Sequence, residues 1–123
     1  MIKLFAKGKL IRFCKGLSSS EFDCKCEYDS CRGTLISSDL IKAFEAFRNL
    51  IGVRMIINSG YRCALHNFAV EGKPLSQHMA GQAIDISLKS LDHLTRDEIK
   101  FAALNSGFTY VLFYKTFVHL DVR

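Results

Sequence analysis

Proline is almost absent from this chain, with Pro74 the single example, and tryptophan is missing altogether. Glycine is modest at eight residues, and no low-complexity stretch or repeat at a solenoid period is present. These absences exclude a disordered or repetitive chain beyond about the first dozen residues. No run approaches the ~18 continuous apolar residues that a membrane-crossing helix needs. The opening MIKLFAKGKLIRFCKG interleaves Lys3, Lys7, Lys9 and Arg12 with apolar residues. It therefore lacks the apolar stretch of roughly 7–15 residues found in a secretory signal. The expectation is synthesis in the cytoplasm without an obvious export signal.

What remains is a 123-residue chain, 49% hydrophobic, enough to build a real core in one domain. We expect a single domain over 1–123, with 1–17 as an N-terminal arm that is either a strand or an ordered extension. The net charge of +5 draws the chain toward polyanions, including nucleic acid and anionic cell-wall polymers. No helix-turn-helix pattern accompanies it, so neither a nucleic-acid nor a membrane partner is expected, and a monomer is favoured.

Local signals place the elements. Residues 18–33 read as a polar, turn-prone loop carrying Cys24, Cys26 and Cys31. Ser37 or Ser38 caps a helix to about Leu50, closed by Gly52, with Leu40, Ala43, Phe44 and Phe47 on its apolar face. Val53–Ile57 reads as a buried β-branched strand ending at Ser59-Gly60, and 62–70 as a helix. Gln82–Leu88 reads as a strand. Thr95 caps a second helix to about Leu104, closed by Asn105-Ser106-Gly107. Strands at 110–114 and 116–122 follow, close enough to form a hairpin. Helices mixed with antiparallel strands indicate α+β, a small antiparallel sheet with flanking helices.

The segment Ser76-Gln77-His78-Met79-Ala80-Gly81-Gln82-Ala83-Ile84-Asp85 sets a histidine in a polar turn and a carboxylate in the next strand. Gly81 lets the backbone bend between them. A carboxylate inside an apolar strand is costly unless paired or bound to metal. Near the end, Val118, Leu120 and Val122 alternate with His119 and Asp121, which share the opposite strand face. Two histidines and an aspartate are ligands zinc accepts, with a fourth place open for a water whose pKa the metal lowers to about 7. By spacing alone, unrelated histidines and carboxylates on strand faces fit equally well.

The pattern Ser-x-His-x-x-Gly-x-Ala-x-Asp at Ser76–Asp85 resembles the signature of the zinc D-alanyl-D-alanine carboxypeptidase and dipeptidase family. That family also includes phage L-alanyl-D-glutamate endopeptidases and shares its fold with the hedgehog signalling domain. Ser59-Gly60-Tyr61-Arg62 with His66-Asn67 resembles the preceding segment, and Phe117-Val118-His119-Leu120-Asp121 the closing motif, so the similarity spans about Glu21 to Arg123. The resemblance implies the hedgehog/DD-peptidase-like fold and one zinc ion per chain on His78, Asp85 and His119. It implies that Arg62 faces the substrate and holds the scissile carbonyl, and that Ser76 supports the His78 loop. Some relatives carry a glutamate three residues, or a histidine two residues, before the last histidine. Thr116 and Phe117 stand there in this chain. Asp121 matches another branch and is assigned as general base or as orienter of His119. Glycines common before the last hairpin are replaced by Tyr110-Val111-Leu112-Phe113-Tyr114, whose bulk is expected to narrow the cleft.

The function implied is hydrolysis of D-amino-acid-containing bonds in peptidoglycan stem peptides, as carboxypeptidase or endopeptidase, consistent with a phage endolysin degrading the cell wall. The alternative is a catalytically inactive zinc-containing binding module of the same fold. The five cysteines include no paired C-x-x-C, so free or packed thiols are the default, with a second structural metal or a disulfide as alternatives. A cysteine nucleophile beside His66 has no support. His66 is expected to make a local hydrogen bond, and His93 to be solvated.

Overall fold

The computed structural model describes residues 1–14 and 17–123, so Lys15 and Gly16 of the expected arm lie outside the described residues. Of the two forms expected for the arm, strand is the one found over Ile2–Ala6 and Arg12–Cys14. β1 (Ile2–Ala6) pairs antiparallel with β4 (Gly33–Ser37), and short β2 (Arg12–Cys14) pairs with β3 (Leu17–Ser18). β4 was hidden in sequence between the expected loop and the helix cap. Its partner lies some thirty residues upstream, so only the pairing identifies it. Within the expected loop, Ser19–Phe22 forms one turn of 3-10 helix.

α1 (Ser38–Ile51) begins where Ser37 Oγ accepts the Asp39 amide at 3.1 Å and ends at Gly52, whose φ of 76° suits the left-handed C-cap. α2 (Ala64–Ala69) is shorter than the expected 62–70 helix. α3 (Arg96–Ser106) carries the Thr95–Glu98 capping box and closes at Gly107 with φ 115°. One face of α1 buries Leu40, Ala43, Phe44 and Phe47, and α3 contributes Ile99 and Ala103 to the same core.

The strand expected at Val53–Ile57 is displaced. β5 is Ile57–Ser59, because the sheet edge pairs Ile57 with Ile86 and Ser59 with Asp85. Before it, only Met55 is buried, while Ile56 is 60% exposed and its amide donates to Ser90 Oγ. β6 (Ala83–Ser87), β7 (Tyr110–Phe113) and β8 (Phe117–Asp121) complete an antiparallel sheet in the order β5-β6-β8-β7.

This sheet divides the molecule's chemistry by period two. Ile84, Ile86, Val118 and Leu120 are fully buried in the helix-covered core, where Phe47 meets Phe108 edge-on at 5.9 Å. Side chains one residue out of step, Asp85, His119 and Asp121, occupy the other face. Register does the rest. Asp85 pairs directly with His119, Ala83 with Asp121, and Leu112 with His119. Directly opposed residues bring their Cβ atoms to roughly 5 Å, within reach of one small ion.

Candidate metal centre and substrate cleft

His78 approaches the sheet from the turn between α2 and β6. Three backbone contacts hold that turn. Arg62 N donates to His78 O, Gly81 N donates back to His78 O, and Ser37 N donates to Gly81 O at 2.7 Å. Gly81 has φ 70°, and a Cβ there would sit 2.5 Å from Leu35 O, so glycine is required on both counts. Ser76 Oγ accepts the His78 amide at 3.2 Å. At Gly60 an added Cβ would lie 2.7 Å from Phe22 Cα, and that close approach sets the carbonyl that receives the His78 ring.

His78 Nδ1 donates to Gly60 O at 2.7 Å, and His119 Nε2 donates to Asp121 Oδ2 at 2.8 Å. Both acceptors lack a proton, so each ring carries its hydrogen on the outward nitrogen. The inward nitrogens, His78 Nε2 and His119 Nδ1, stand 3.1 and 3.0 Å from the same oxygen, Asp85 Oδ1. Three lone pairs thus converge, and one ligand atom from each residue lies within 4.8 Å of the others. Such an arrangement requires a cation at its centre, either a proton or a metal ion. For metal–ligand distances of about 2.0–2.1 Å, tetrahedral ligand atoms lie about 3.3 Å apart, close to the spacing found. The donor set and its spacing therefore fit zinc.

The same contacts shift the titration of these groups. Burial pushes the Asp85 carboxyl upward, but the two imidazoles set against Oδ1 outweigh it and leave its pKa below the ordinary range. Burial likewise opposes a charged His119, yet the Asp121 and Asp85 carboxylates raise its pKa. Asp121 is wholly buried. Against that burial, hydrogen bonds from His119 and Arg123 bring it down to about 2.

Arg123 was not anticipated. Its Nη2 and Nε donate to the two Asp121 oxygens at 2.6 and 2.9 Å, and its amide adds a third bond at 3.2 Å. The guanidinium also covers the Tyr110 ring at 4.0 Å. The sequence signal was slight: an arginine two residues beyond Asp121, on the same strand face. In the sequence, Asn67 stands out only as the neighbour of His66. It is buried, accepts from Arg62 Nη1 at 2.9 Å through Oδ1, and donates to Lys73 O at 2.9 Å through Nδ2. Arg62 is thereby aimed at the centre, with Nη2 4.0 Å from Asp85 Oδ2.

Arg62, His78, Asp85, His119 and Arg123 line a cleft of about 430 Å³, with Asp121 and Asn67 buried behind them. Tyr110, Leu112 and Tyr114 form one wall, while Val111 and Phe113 pack toward the core. Tyr114 stacks on Phe117 at 4.4 Å. Neither His66 nor His93 lines the cleft.

An α+β chain with a two-histidine, one-aspartate centre in an open cleft belongs to the class of metal-dependent hydrolase folds. The model of the Peptidase M15 family matches residues 15–121, and the chain belongs to that family of zinc peptidases acting on peptidoglycan. No curated protein matches the chain. Among the described residues, no helix is long and apolar enough to cross a membrane.

Proposed function

We propose that this chain hydrolyses peptide bonds involving D-amino acids in peptidoglycan stem peptides, with His78, Asp85 and His119 holding one zinc ion. The convergence of three lone pairs on one point carries the reading. When bound there, zinc supplies a Lewis acid and an activated water.

The chain's own residues supply the rest. Gly60 O and Asp121 fix the proton on the outward nitrogen of each histidine and so keep the inward nitrogens free as ligands. Arg62, braced by Asn67, offers donors toward a substrate carbonyl or carboxylate, and its planar fork suits either group. Lys73 adds a further cation to the cleft beside Arg62, which favours a carboxylate-ended peptide. Of the two roles open to Asp121, orienting His119 is the better supported. Both of its oxygens already accept hydrogen bonds, and no solvent reaches it.

That same occupancy favours the second reading, a zinc-containing binding module without hydrolysis, because it removes the most obvious general base. Zinc content and digestion of purified peptidoglycan, measured on wild type and His78→Ala, separate the readings. Amines released by wild type alone, with zinc lost from the variant, support the peptidase, and the products name the bond. Stoichiometric zinc at this centre with no released amines points to the binding module. A wild type purified without chelator that holds no metal at these residues overturns both.

A further inference from the structure

Outside the cleft, four sulfurs meet. Cys24, Cys26 and Cys31 come from the loop before β4, and Cys63 is the N-cap residue of α2. All four Sγ atoms lie within 4.8 Å of one another. Cys63 Sγ stands 3.7 Å from Cys24 Sγ and 3.8 Å from Cys26 Sγ. A disulfide needs about 2.05 Å, and Cys63 shows no preference for one partner over the other. Zinc–thiolate bonds of about 2.3 Å in a tetrahedron place neighbouring sulfurs about 3.8 Å apart, which is the spacing seen.

The surroundings treat these sulfurs as acceptors. The Cys63 amide donates to Cys24 Sγ at 3.4 Å, and the His66 amide to Cys63 Sγ at 3.4 Å. The Lys7 ammonium donates to Cys26 Sγ at 3.4 Å and to Cys26 O at 3.0 Å. A neutral thiol is a weak acceptor, whereas a thiolate is a strong one. Cys24 and Cys31 are buried, so thiolates there need a cation in place of water.

We propose that Cys24, Cys26, Cys31 and Cys63 form a second, structural metal site for a thiophilic divalent cation of the zinc type. Four protein ligands leave no open position, which marks the site as structural rather than catalytic. The ion would tie the 23–33 loop to the segment that carries Arg62, because Cys63 follows Arg62 directly. Tyr61 N already donates to Phe22 O at 2.7 Å on the same side. In sequence the spacing lacks the C-x-x-C knuckle, and Cys63 lies 32 residues beyond Cys31, so folding alone assembles the set.

The site does not depend on the peptidase reading, and cobalt distinguishes the two. The full chain, purified under reducing conditions and stripped of metal, is titrated with Co²⁺. A cysteine site gives an intense thiolate-to-cobalt charge-transfer band in the near ultraviolet, whereas a His/Asp site gives none. We expect that band in wild type, unchanged in His78→Ala, and protection of these thiols from alkylation that chelator abolishes. Cys26→Ser with Cys63→Ser should remove the band while His/Asp-bound metal persists. A reduced, folded wild type that binds cobalt without the band overturns the proposal. A Cys24–Cys63 or Cys26–Cys63 disulfide, found by mass in chain alkylated directly on isolation, overturns it as well.

Discussion

Replacing Asp121 with asparagine keeps the size of the side chain and removes its charge, which tests what that buried carboxylate does. Asp121 now accepts four hydrogen bonds, from His119 Nε2 and from Arg123 Nη2, Nε and backbone N. An amide cannot satisfy all four. With its oxygen toward His119, its NH2 meets the Arg123 backbone N–H and Nε–H, donor against donor, and the backbone N–H cannot move away. With its oxygen toward that backbone N–H, its NH2 faces His119 Nε2, and the Arg123 side chain, 48% exposed, can swing into solvent. The second arrangement is the cheaper, and it drives the His119 proton onto Nδ1, the atom facing Asp85 Oδ1. Supporting residues of this kind are worth about 10–100-fold in metal affinity, or about 1.4–2.7 kcal/mol at roughly 1.4 kcal/mol per decade. Loss of charge-assisted bonds should cost the metal-free fold a further ~1.5–3 kcal/mol. Competition for zinc against a chromophoric chelator reads the first quantity, and urea unfolding of the apo chain the second. Zinc affinity equal to wild type together with abolished hydrolysis would refute the orienting role and make Asp121 the base.

Gly81→Ala forces a left-handed backbone on a residue with a Cβ, about 1–2 kcal/mol, and drives that Cβ against the Leu35 carbonyl, about 1–3 kcal/mol more. A combined loss of ~2–5 kcal/mol, with weakened zinc binding because the His78 turn shifts, is expected by denaturant titration. Arg62→Lys breaks the fork held by Asn67 while leaving the three ligands in place. Zinc content should be unchanged, and kcat should fall on the order of 10²–10³ if the guanidinium stabilises developing negative charge. Phe47→Ala empties a fully buried site against Phe108 on the far side of the sheet and should cost about 3–5 kcal/mol. The zinc affinity of its folded fraction should match wild type, because the cavity lies behind Val118 and Leu120 rather than at the centre.

The parts legible in sequence are those set by neighbouring residues. Ser37 and Gly52 bound α1, and Thr95, Glu98 and Gly107 bound α3, because caps and stops satisfy backbone groups within a few residues. The alternation around His119 and Asp121 placed both on one strand face for the same reason, and the bend at Gly81 followed from its freedom to adopt positive φ. Strand β4 and the true start of β5 were not legible. Each is defined by hydrogen bonds to a distant partner, β1 or β6, and a short apolar run does not name its partner.

The same division runs through the two sites. Sequence alone supplied the candidate ligand types, the segments that carry them and, through a resemblance, their proposed grouping. It left Arg123 and Asn67 without roles and the cysteines undecided. Tertiary structure set the distances: the β6–β8 register that opposes Asp85 and His119, and the 3.7–3.8 Å contacts that bring Cys63 onto Cys24 and Cys26. Capping and alternation act over a few residues along the chain. Metal chemistry needs atoms within a few ångströms in space, and here they come from residues 34 and 39 positions apart, which only strand register and core packing can bring together.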